Sequence, residues 1–207
     1  MDLKLKRYPI TPLQKGMIAH SIGSPGLGLY IVQPIYQFSK IDIPSLEYAI
    51  NKVVNRHDLL RASFHYQVDE AYLEIQAEVT ISIELHDWSA VKSTFERQTL
   101  LKRFLHKDRC IDFDFSLPPF VRPSVIHISD EKSLLVLTHH HVLLDGFSSP
   151  IFSREIMQIY QAKKNSTAEP RLQMPHSFGI FLEWLSKRNI DTDLEFWKGY
   201  MMGYQPT

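Results

Sequence analysis

The sequence predicts a mixed α/β fold, in which helices cover a sheet. Strand-like apolar runs alternate with helical patterns, the chain ends in helical patterns, and hydrophobic residues make up 44% of its 207 residues. A chain of this length buries roughly 70% of its unfolded surface, so it needs neither a disulfide nor a structural metal. We expect one unit over residues 1–207, with residues 1–10 as a charged amino-terminal arm.

The first half of the chain predicts a helix, a strand and a second helix. Residues 11–12, Thr-Pro, provide an N-cap and a first helical residue. The run at 30–38 predicts a strand, in which Pro34 requires an edge position or a bulge. Residues 43–56 predict an amphipathic helix. Its apolar stripe consists of Leu46, Ala49, Ile50, Val53 and Val54.

The second half predicts strands and then a helical end. Three short apolar runs predict strands at 61–67, 71–78 and 81–86, and residues 89–107 predict a helix. Residues 121–129 and 133–139 predict an antiparallel pair around a turn at Asp130. Helical patterns close the chain at 150–163, 176–188 and 192–203. The helical pattern at 176–188 has a broad aromatic face, and we expect a partner beyond residue 207 to cover it.

Composition excludes several classes of protein. Lys plus Arg and Asp plus Glu both number 23, so the net charge is 0, whereas nucleic-acid and acidic-membrane binders usually carry a basic face. No apolar signal core or spanning segment is visible in the sequence. Cys110 is the only cysteine and cannot form an internal disulfide, which favours the cytoplasm. We therefore expect neither a nucleic-acid nor a membrane partner.

The densest group of titratable side chains is THHHVLLDGFSS, at residues 138–149. In a strand, His139 and His141 share one face and His140 points to the other. Gly146 is expected to give a sharp turn its backbone freedom, and Ser148 or Ser149 to cap the helix that follows.

Three interpretations of these histidines compete. No cysteine or third close ligand accompanies them, so we predict no metal site. One histidine at a strand end would be structural, but three of them with an aspartate four residues on favour a functional site. A neutral imidazole with a pKa of about 6.5 can accept a proton from a nucleophile at cellular pH.

The motif HHVLLDG, at 140–146, matches the HHxxxDG motif of nonribosomal peptide synthetase condensation domains, whose superfamily resembles chloramphenicol acetyltransferase. Four further segments are similar to motifs of that family and stand in its order. They are TPLQKGMIAHS at 11–21, NRHDLLRASF at 55–64, FDFSLPPFVRPSV at 113–125 and SFGIFLEWL at 177–185. The resemblance covers nearly the whole chain, although Gly179 stands where the family often has an aspartate or similar polar residue.

The resemblance implies an acyltransferase that forms an amide bond between a donor acyl or peptidyl thioester and an acceptor aminoacyl thioester. Both substrates arrive on the 4'-phosphopantetheine arms of upstream and downstream peptidyl carrier proteins, and the lobe itself holds no cofactor. Residues 1–207 resemble the amino-terminal lobe of a domain about twice this size. The carboxy-terminal lobe, which shares the site, and an adjacent adenylation module are the other implied partners. The isolated lobe is expected to be poorly active or inactive.

The resemblance also implies roles for individual residues. His141, the second motif histidine, is the catalytic one, as a general base or by positioning the acceptor amine. His140 and Asp145 are expected to be structural, with Asp145 paired to Arg61 or, failing that, to Arg122. The three residues that follow Asp145 are expected to lie against the thioester: Gly146, Phe147 and Ser148.

Two alternatives remain open. The first is a non-catalytic lobe that docks carrier proteins and whose histidines are vestigial. The second is an acyltransferase that uses a coenzyme A thioester and is completed by oligomerisation, for example as a trimer.

Overall fold

The elements of the fold come from a computed structural model that describes residues 7–67 and 70–205. The strands are β1 (Arg7–Pro9), β2 (Ile31–Val32), β3 (Ile35–Phe38), β4 (Ala62–Tyr66), β5 (Ala71–Ile75), β6 (Glu84–Asp87), β7 (Val121–Ser129) and β8 (Lys132–His140). The helices are α1 (Pro12–Gly23), α2 (Ile43–Arg56), α3 (Thr94–Arg109), α4 (Ser148–Lys164), α5 (Phe178–Ser186) and α6 (Ile190–Tyr200). A 3₁₀ turn spans Asp58–Arg61.

The strands form two sheets. One is antiparallel, with the order β1–β5–β4. In the other, β8 lies between β7 and the short strands β2 and β3, and β6 follows on the far side of β7. Strand β6 runs parallel to β7 and the remaining pairs are antiparallel, so this sheet is mixed. The predicted fold of a mixed sheet with helices is confirmed, although the strands divide between two sheets.

Helix α2 lies in the main core and has the predicted bounds. All five residues of its predicted apolar stripe are fully buried, and each of its Leu, Ile and Val side chains contributes about 1.5–3 kcal/mol by leaving water. Asp42 caps the helix by accepting a hydrogen bond from the Ser45 amide at 2.9 Å. The apolar face packs against α4, the helix that follows the histidine motif.

Pro34 divides the predicted strand at 30–38 into β2 and β3. Both pair with β8 at the edge of the mixed sheet, which confirms the predicted edge position. Proline has no amide hydrogen to donate, but its carbonyl accepts from the Leu137 amide at 3.0 Å. The edge of the sheet is thereby held against β8 close to the histidines.

The predicted strand at 81–86 is shorter than expected and begins only at Glu84. In the residues before Glu84, side-chain amides of α2 make the backbone hydrogen bonds that a neighbouring strand would otherwise make. Asn55 exchanges two hydrogen bonds with the backbone of Val79, and Asn51 does the same with Ile81, at 2.8–2.9 Å. These bonds satisfy the backbone without a ladder.

The amino-terminal arm is described only in part, because residues 1–6 lie outside the described residues. Arg7–Pro9 form β1, which pairs with β5, and Tyr8 is buried against the core. This part of the predicted arm therefore pairs in a sheet, with Arg7 and Pro9 exposed on either side of Tyr8. None of the helices in the described part of the chain is both long and apolar enough to cross a membrane.

Candidate active site

Strand β8 brings three histidines to one end of the mixed sheet. His139 and His140 are its last residues and are each 1% exposed, whereas His141 is half-buried in the turn that follows. We expected His141 to share a face of the strand with His139, because side chains alternate along a strand. The strand ends at His140, however, so this alternation does not extend to His141. The three rings lie in different surroundings.

His140 is held at both ring nitrogens. The Val142 amide donates to Nδ1 at 3.0 Å, and Nε2 lies 3.0 Å from Ser21 Oγ. Because Nδ1 accepts, the neutral ring carries its proton on Nε2 and donates it to Ser21. The ring of Phe115 meets the imidazole edge-on, with 5.0 Å between centroids. Burial, and to a lesser extent His141 and His139, lowers the pKa of His140 to about 4.

His139 is also a buried, neutral residue. Its Nδ1 lies 3.1 Å from its near neighbour, the Leu137 carbonyl, to which it donates. Burial lowers the pKa of His139, and the Leu137 bond only partly opposes this effect. Within the described residues, its Nε2 has no hydrogen-bond partner. Neither of the two strand histidines is therefore positively charged at cellular pH.

His141 differs because its ring is not engaged. Its backbone amide donates to the Tyr30 carbonyl at 2.8 Å, which fixes the chain at this point. The ring makes no hydrogen bond or ion pair to residues 7–67 or 70–205. An imidazole held at its backbone and open at its ring can accept a proton or orient an amine.

The loop after His141 is held in place by its own buried side chains and by a hydrogen bond from α1. Val142, Leu143 and Leu144 are buried, and the Val142 carbonyl accepts a hydrogen bond from Gln14 Nε2 at 3.3 Å. Gln14 also forms a capping box with Thr11 at the start of α1. The opening motif of the sequence therefore contacts the histidine motif through one glutamine.

Asp145 caps α4. Its Oδ1 accepts from the amides of Phe147 and Ser148 and from the Ser148 hydroxyl, at 2.7–3.1 Å, and its own amide donates to Ser148 Oγ at 2.8 Å. This reciprocal arrangement is a capping box. The Ser148 bonds are the main cause that lowers the pKa of Asp145. The prediction that Ser148 or Ser149 caps the helix is wrong: both lie inside α4, Phe147 occupies the position before it, and the side chain that accepts from the first helical amide is that of Asp145.

The expected pair between Asp145 and Arg61 is wrong. Arg61 belongs to the 3₁₀ turn, and it donates to Asp58 Oδ1 at 3.2 Å and to the carbonyls of Gln76 and Ala77. Asp58 is one turn away in the chain and within easy reach. The carboxylate of Asp145, for its part, is taken up by the first turn of α4.

Arg122, the second expected partner, binds Asp108 instead. Asp108 is buried at the end of α3 and accepts from Arg122 Nε at 3.1 Å, Gln33 Nε2 at 2.8 Å and Thr138 Oγ1 at 2.5 Å. The guanidinium also lies over the Phe113 ring at 4.1 Å. This network ties α3 to both central strands, one residue before the histidines.

The residues after Asp145 lie at the surface. Phe147 is 89% exposed, and Ser148 is half-buried with its hydroxyl in the cap. Gly146 is not among the residues with positive φ, and a Cβ at this position would meet nothing within 4 Å. The special backbone freedom expected of Gly146 is therefore not needed for the turn.

Two cavities flank the motif. One, of about 90 Å³, is bounded by His140, Ser21 and Phe115 and has Asp112 at its wall. The other, of about 210 Å³, lies between Leu143–Leu144, the 3₁₀ turn and α4. Among residues 7–67 and 70–205, no three His, Cys, Asp or Glu side chains converge in a way that could hold a metal ion.

Sequence reasoning missed Ser21, Tyr30, Gln14 and Asp108. The role of Asp145 at the start of α4 had a readable signal, since aspartate is one of the residues preferred just before a helix. Gln14 stands in one of the family-like segments, but its contact with Val142 is 128 residues distant in sequence. No local pattern indicates the partners of Ser21, Tyr30 or Asp108.

Comparison with known proteins gives one consistent family. The family model described as Condensation domain matches residues 4–207. Bacitracin synthase 3 of Bacillus licheniformis is 31% identical over 202 residues, which are 97% of this chain and 3% of that protein. Bacitracin synthase 1 of the same organism is 31% identical over 205 residues, which are 97% of this chain and 4% of that protein.

A solved structure gives the same fold. The starter condensation domain of the rhizomide synthetase superposes with a TM-score of 0.82 at 15% identity, over 97% of this chain and 49% of that one. The match confirms the predicted fold of one lobe. The chain spans about half of that structure and only a few per cent of the curated relatives.

Proposed function

This chain belongs to the condensation domain family, and from that premise we propose that it supplies the histidine-bearing half of a site for amide-bond formation. The donor is an acyl or peptidyl thioester and the acceptor is an aminoacyl thioester. The observation that carries the proposal is the contrast within the motif. His139 and His140 are buried and neutral, while the half-buried ring of His141 is unengaged among the described residues.

The reaction joins the acceptor nitrogen to the donor carbonyl carbon. The C–N bond forms as the amine attacks, the C–S bond then breaks, and the amine proton passes to the leaving thiolate. An α-amine has a pKa of about 8 and is already partly neutral at pH 7. His141 therefore acts by taking the proton as the C–N bond forms, or by orienting the amine and its tetrahedral adduct. The thioesters lie beside Gly146 and Phe147, which are exposed, and beside Ser148, which is half-buried at the start of α4.

The proposed partners follow from this chemistry. The thioesters arrive on the phosphopantetheine arms of an upstream and a downstream peptidyl carrier protein, within a synthetase that also has an adenylation module. The second half of the domain covers the aromatic surface of α5 and α6, where Trp184 and Trp197 are more than half exposed, and it completes the site.

The test is amide formation by the complete domain, with carrier-bound donor and acceptor thioesters and detection by mass spectrometry. We expect product from the domain, a loss of at least about 100-fold in His141→Ala, and little product from the chain alone. His106→Ala is the matched control, because His106 is exposed on α3. If His141→Ala kept full activity, the catalytic role would be refuted and a docking lobe would remain. Turnover of coenzyme A thioesters by an oligomer of this chain alone would favour the other alternative.

A further inference from the structure

Tyr30 has a backbone conformation that residues with a β-carbon rarely adopt. Its φ is 59°, and Ser166 is the only other non-glycine residue in the described part of the chain with a positive φ. Tyr30 directly precedes β2, and Gly28, two residues before it, has a φ of 62°. Such conformations persist where the surrounding structure holds them, and they concentrate at functional sites.

The carbonyl of Tyr30 holds the backbone of His141. Strand β2 pairs with β8 through Ile31 and His140, and the bond from the His141 amide to the Tyr30 carbonyl, at 2.8 Å, continues this pairing one residue into the turn. The direction of that carbonyl depends on the φ of Tyr30, since rotation about N–Cα moves it. An extended φ would turn the acceptor away from His141.

The ring of Tyr30 contacts two histidines. Its hydroxyl lies 2.8 Å from His20 Nδ1, and the two rings stack with 6.2 Å between centroids. The His140 ring also lies near the Tyr30 ring, with 6.0 Å between centroids and a tilt of 52°. His20 and Ser21 are neighbours near the end of α1, and Ser21 is also the partner of His140 Nε2. The end of α1 therefore holds both Tyr30 and His140.

We infer that Tyr30 is a positioning residue for His141. Its ring, anchored on His20 and packed beside His140, keeps the left-handed backbone in place, and this backbone aims its carbonyl at the His141 amide. The catalytic consequence rests on the proposed function, but the positioning does not, since it concerns only how the turn is held.

Three variants separate the ring from the backbone. Tyr30→Ala removes the ring and leaves a residue that disfavours positive φ. Tyr30→Asn removes the ring but tolerates positive φ, and Tyr30→Phe loses only the hydroxyl. Tyr36→Phe is the matched control, because Tyr36 bonds Ser153 through its hydroxyl at 2.6 Å on the adjoining strand β3. The readouts are hydrogen exchange of the His141 amide and the histidine ring signals, both by NMR on this chain.

We expect His141 amide exchange to become at least about tenfold faster in Tyr30→Ala, with shifted ring signals of His140 and His141. In Tyr30→Asn the amide stays protected and the His140 ring signals shift. In Tyr30→Phe the signals of His20 shift and those of His141 stay. In the complete domain, Tyr30→Ala lowers kcat about tenfold or more with little change in KM.

Unchanged His141 exchange and unchanged ring signals in Tyr30→Ala would overturn the inference, as would equal changes in Tyr36→Phe. If Tyr30→Ala does not fold, Tyr30→Asn decides: shifted His140 signals support the inference and unchanged ones overturn it. These readouts need no turnover, so the inference can hold even if His141 proves not to act in amide formation. A loss of protection at His141 without any loss of kcat would refute only the catalytic consequence.

Discussion

At the scale of single residues, three adjacent histidines do different work because their surroundings differ. Each buried imidazole loses hydration that its charged form needs, and each lies close enough to the others for their charges to repel. His140 also offers Nδ1 to the Val142 amide, so protonation at that nitrogen would break the bond. The strand histidines therefore serve as neutral hydrogen-bonding and packing groups, and the turn presents His141.

The lowered pKa of His140 predicts acid sensitivity. The unfolded chain takes up a proton on this residue near pH 6.5, whereas the folded chain takes it up only near pH 4. Between these values the unfolded state binds more protons, so stability falls as pH falls, by about 3 kcal/mol in total. This loss is measured as the difference in urea unfolding, from pH 7 to pH 4, between this chain and a His140 variant, because the lowered pKa of His139 contributes to both.

The matched variant is His140→Asn, whose side-chain oxygen can still accept from Val142. We expect it to be less stable at pH 7 but to lose less stability on acidification. An NMR titration that gave His140 a pKa near 6.5, or an equal acid loss in the variant, would contradict the prediction.

The cap at Asp145 gives a second residue-scale prediction. Asp145→Ala removes the acceptor for the amides of Phe147, just before α4, and of Ser148, its first residue, and should lower the free energy of unfolding by about 1 kcal/mol at pH 7. Hydrogen bonds from Ser148 and Phe147 lower the pKa of Asp145. Its contribution is therefore present above the unfolded pKa of about 3.9 and is lost as pH falls through the lower, folded value. Asp145→Asn should show no such acid-dependent loss.

A double-mutant cycle of Asp145→Ala and Arg61→Ala tests whether these two side chains interact. Since Arg61 binds Asp58 and not Asp145, the two losses should add to within about 0.5 kcal/mol. A larger coupling energy, measured by urea unfolding at pH 7, would show that Asp145 and Arg61 interact, as the motif led us to expect.

At the scale of elements, strong local patterns were enough to predict structure. The stripe of α2 repeats at helical spacing and its bounds are 43–56 as predicted. The paired strands at 121–129 and 132–140 differ from prediction by one residue at either end of the second strand. Prediction failed where distant groups decide. The backbone at Val79 and Ile81 is satisfied by two asparagines of α2.

In the candidate site, too, the local sequence predicted the motif residues but not the distant groups that contact them. The motif located His140 and His141, because sequence alone carries HHxxxDG. It did not locate what holds them, since Ser21, the partner of His140, and Tyr30, the partner of the His141 amide, both lie far from the motif in sequence. A tyrosine with positive φ also has no sequence signal, because glycine and asparagine are the residues that indicate such a conformation.

Gly179 on α5 gives an element-scale prediction. Replacing an exposed helical glycine by alanine usually stabilises a helix by about 1 kcal/mol. A Cβ at Gly179, however, would overlap the ring and hydroxyl of Tyr8 on β1, and a rigid ring in a sheet has little room to move. We expect Gly179→Ala to lower the melting temperature by separating α5 from β1.

Gly199→Ala is the control, because Gly199 lies in α6 and a Cβ there would meet nothing within 4 Å. It should leave the melting temperature unchanged or raise it. A higher melting temperature in Gly179→Ala would show that α5 does not rest on Tyr8.

At the scale of the whole molecule, apolar surface is unevenly distributed. Within the described residues α6 has no buried side chain. Large apolar side chains of α5, α6 and the residues after them are exposed, among them Phe181, Trp184, Phe196, Trp197 and Tyr200. An apolar patch of this kind usually marks an interaction surface. The matched solved structure has a further half that this chain does not cover.

We therefore expect the second half of a condensation domain, added as a separate polypeptide, to bury Trp184 and Trp197. These side chains are 53% and 56% exposed, so their fluorescence emission should shift to shorter wavelength on binding. The shift should largely disappear in the double variant Trp184→Phe and Trp197→Phe. It should persist in Trp88→Phe, because Trp88 already packs against Phe104 in a separate small core. A complex that forms without any shift, or a shift that survives the double variant, would place the second half on a different face of the molecule.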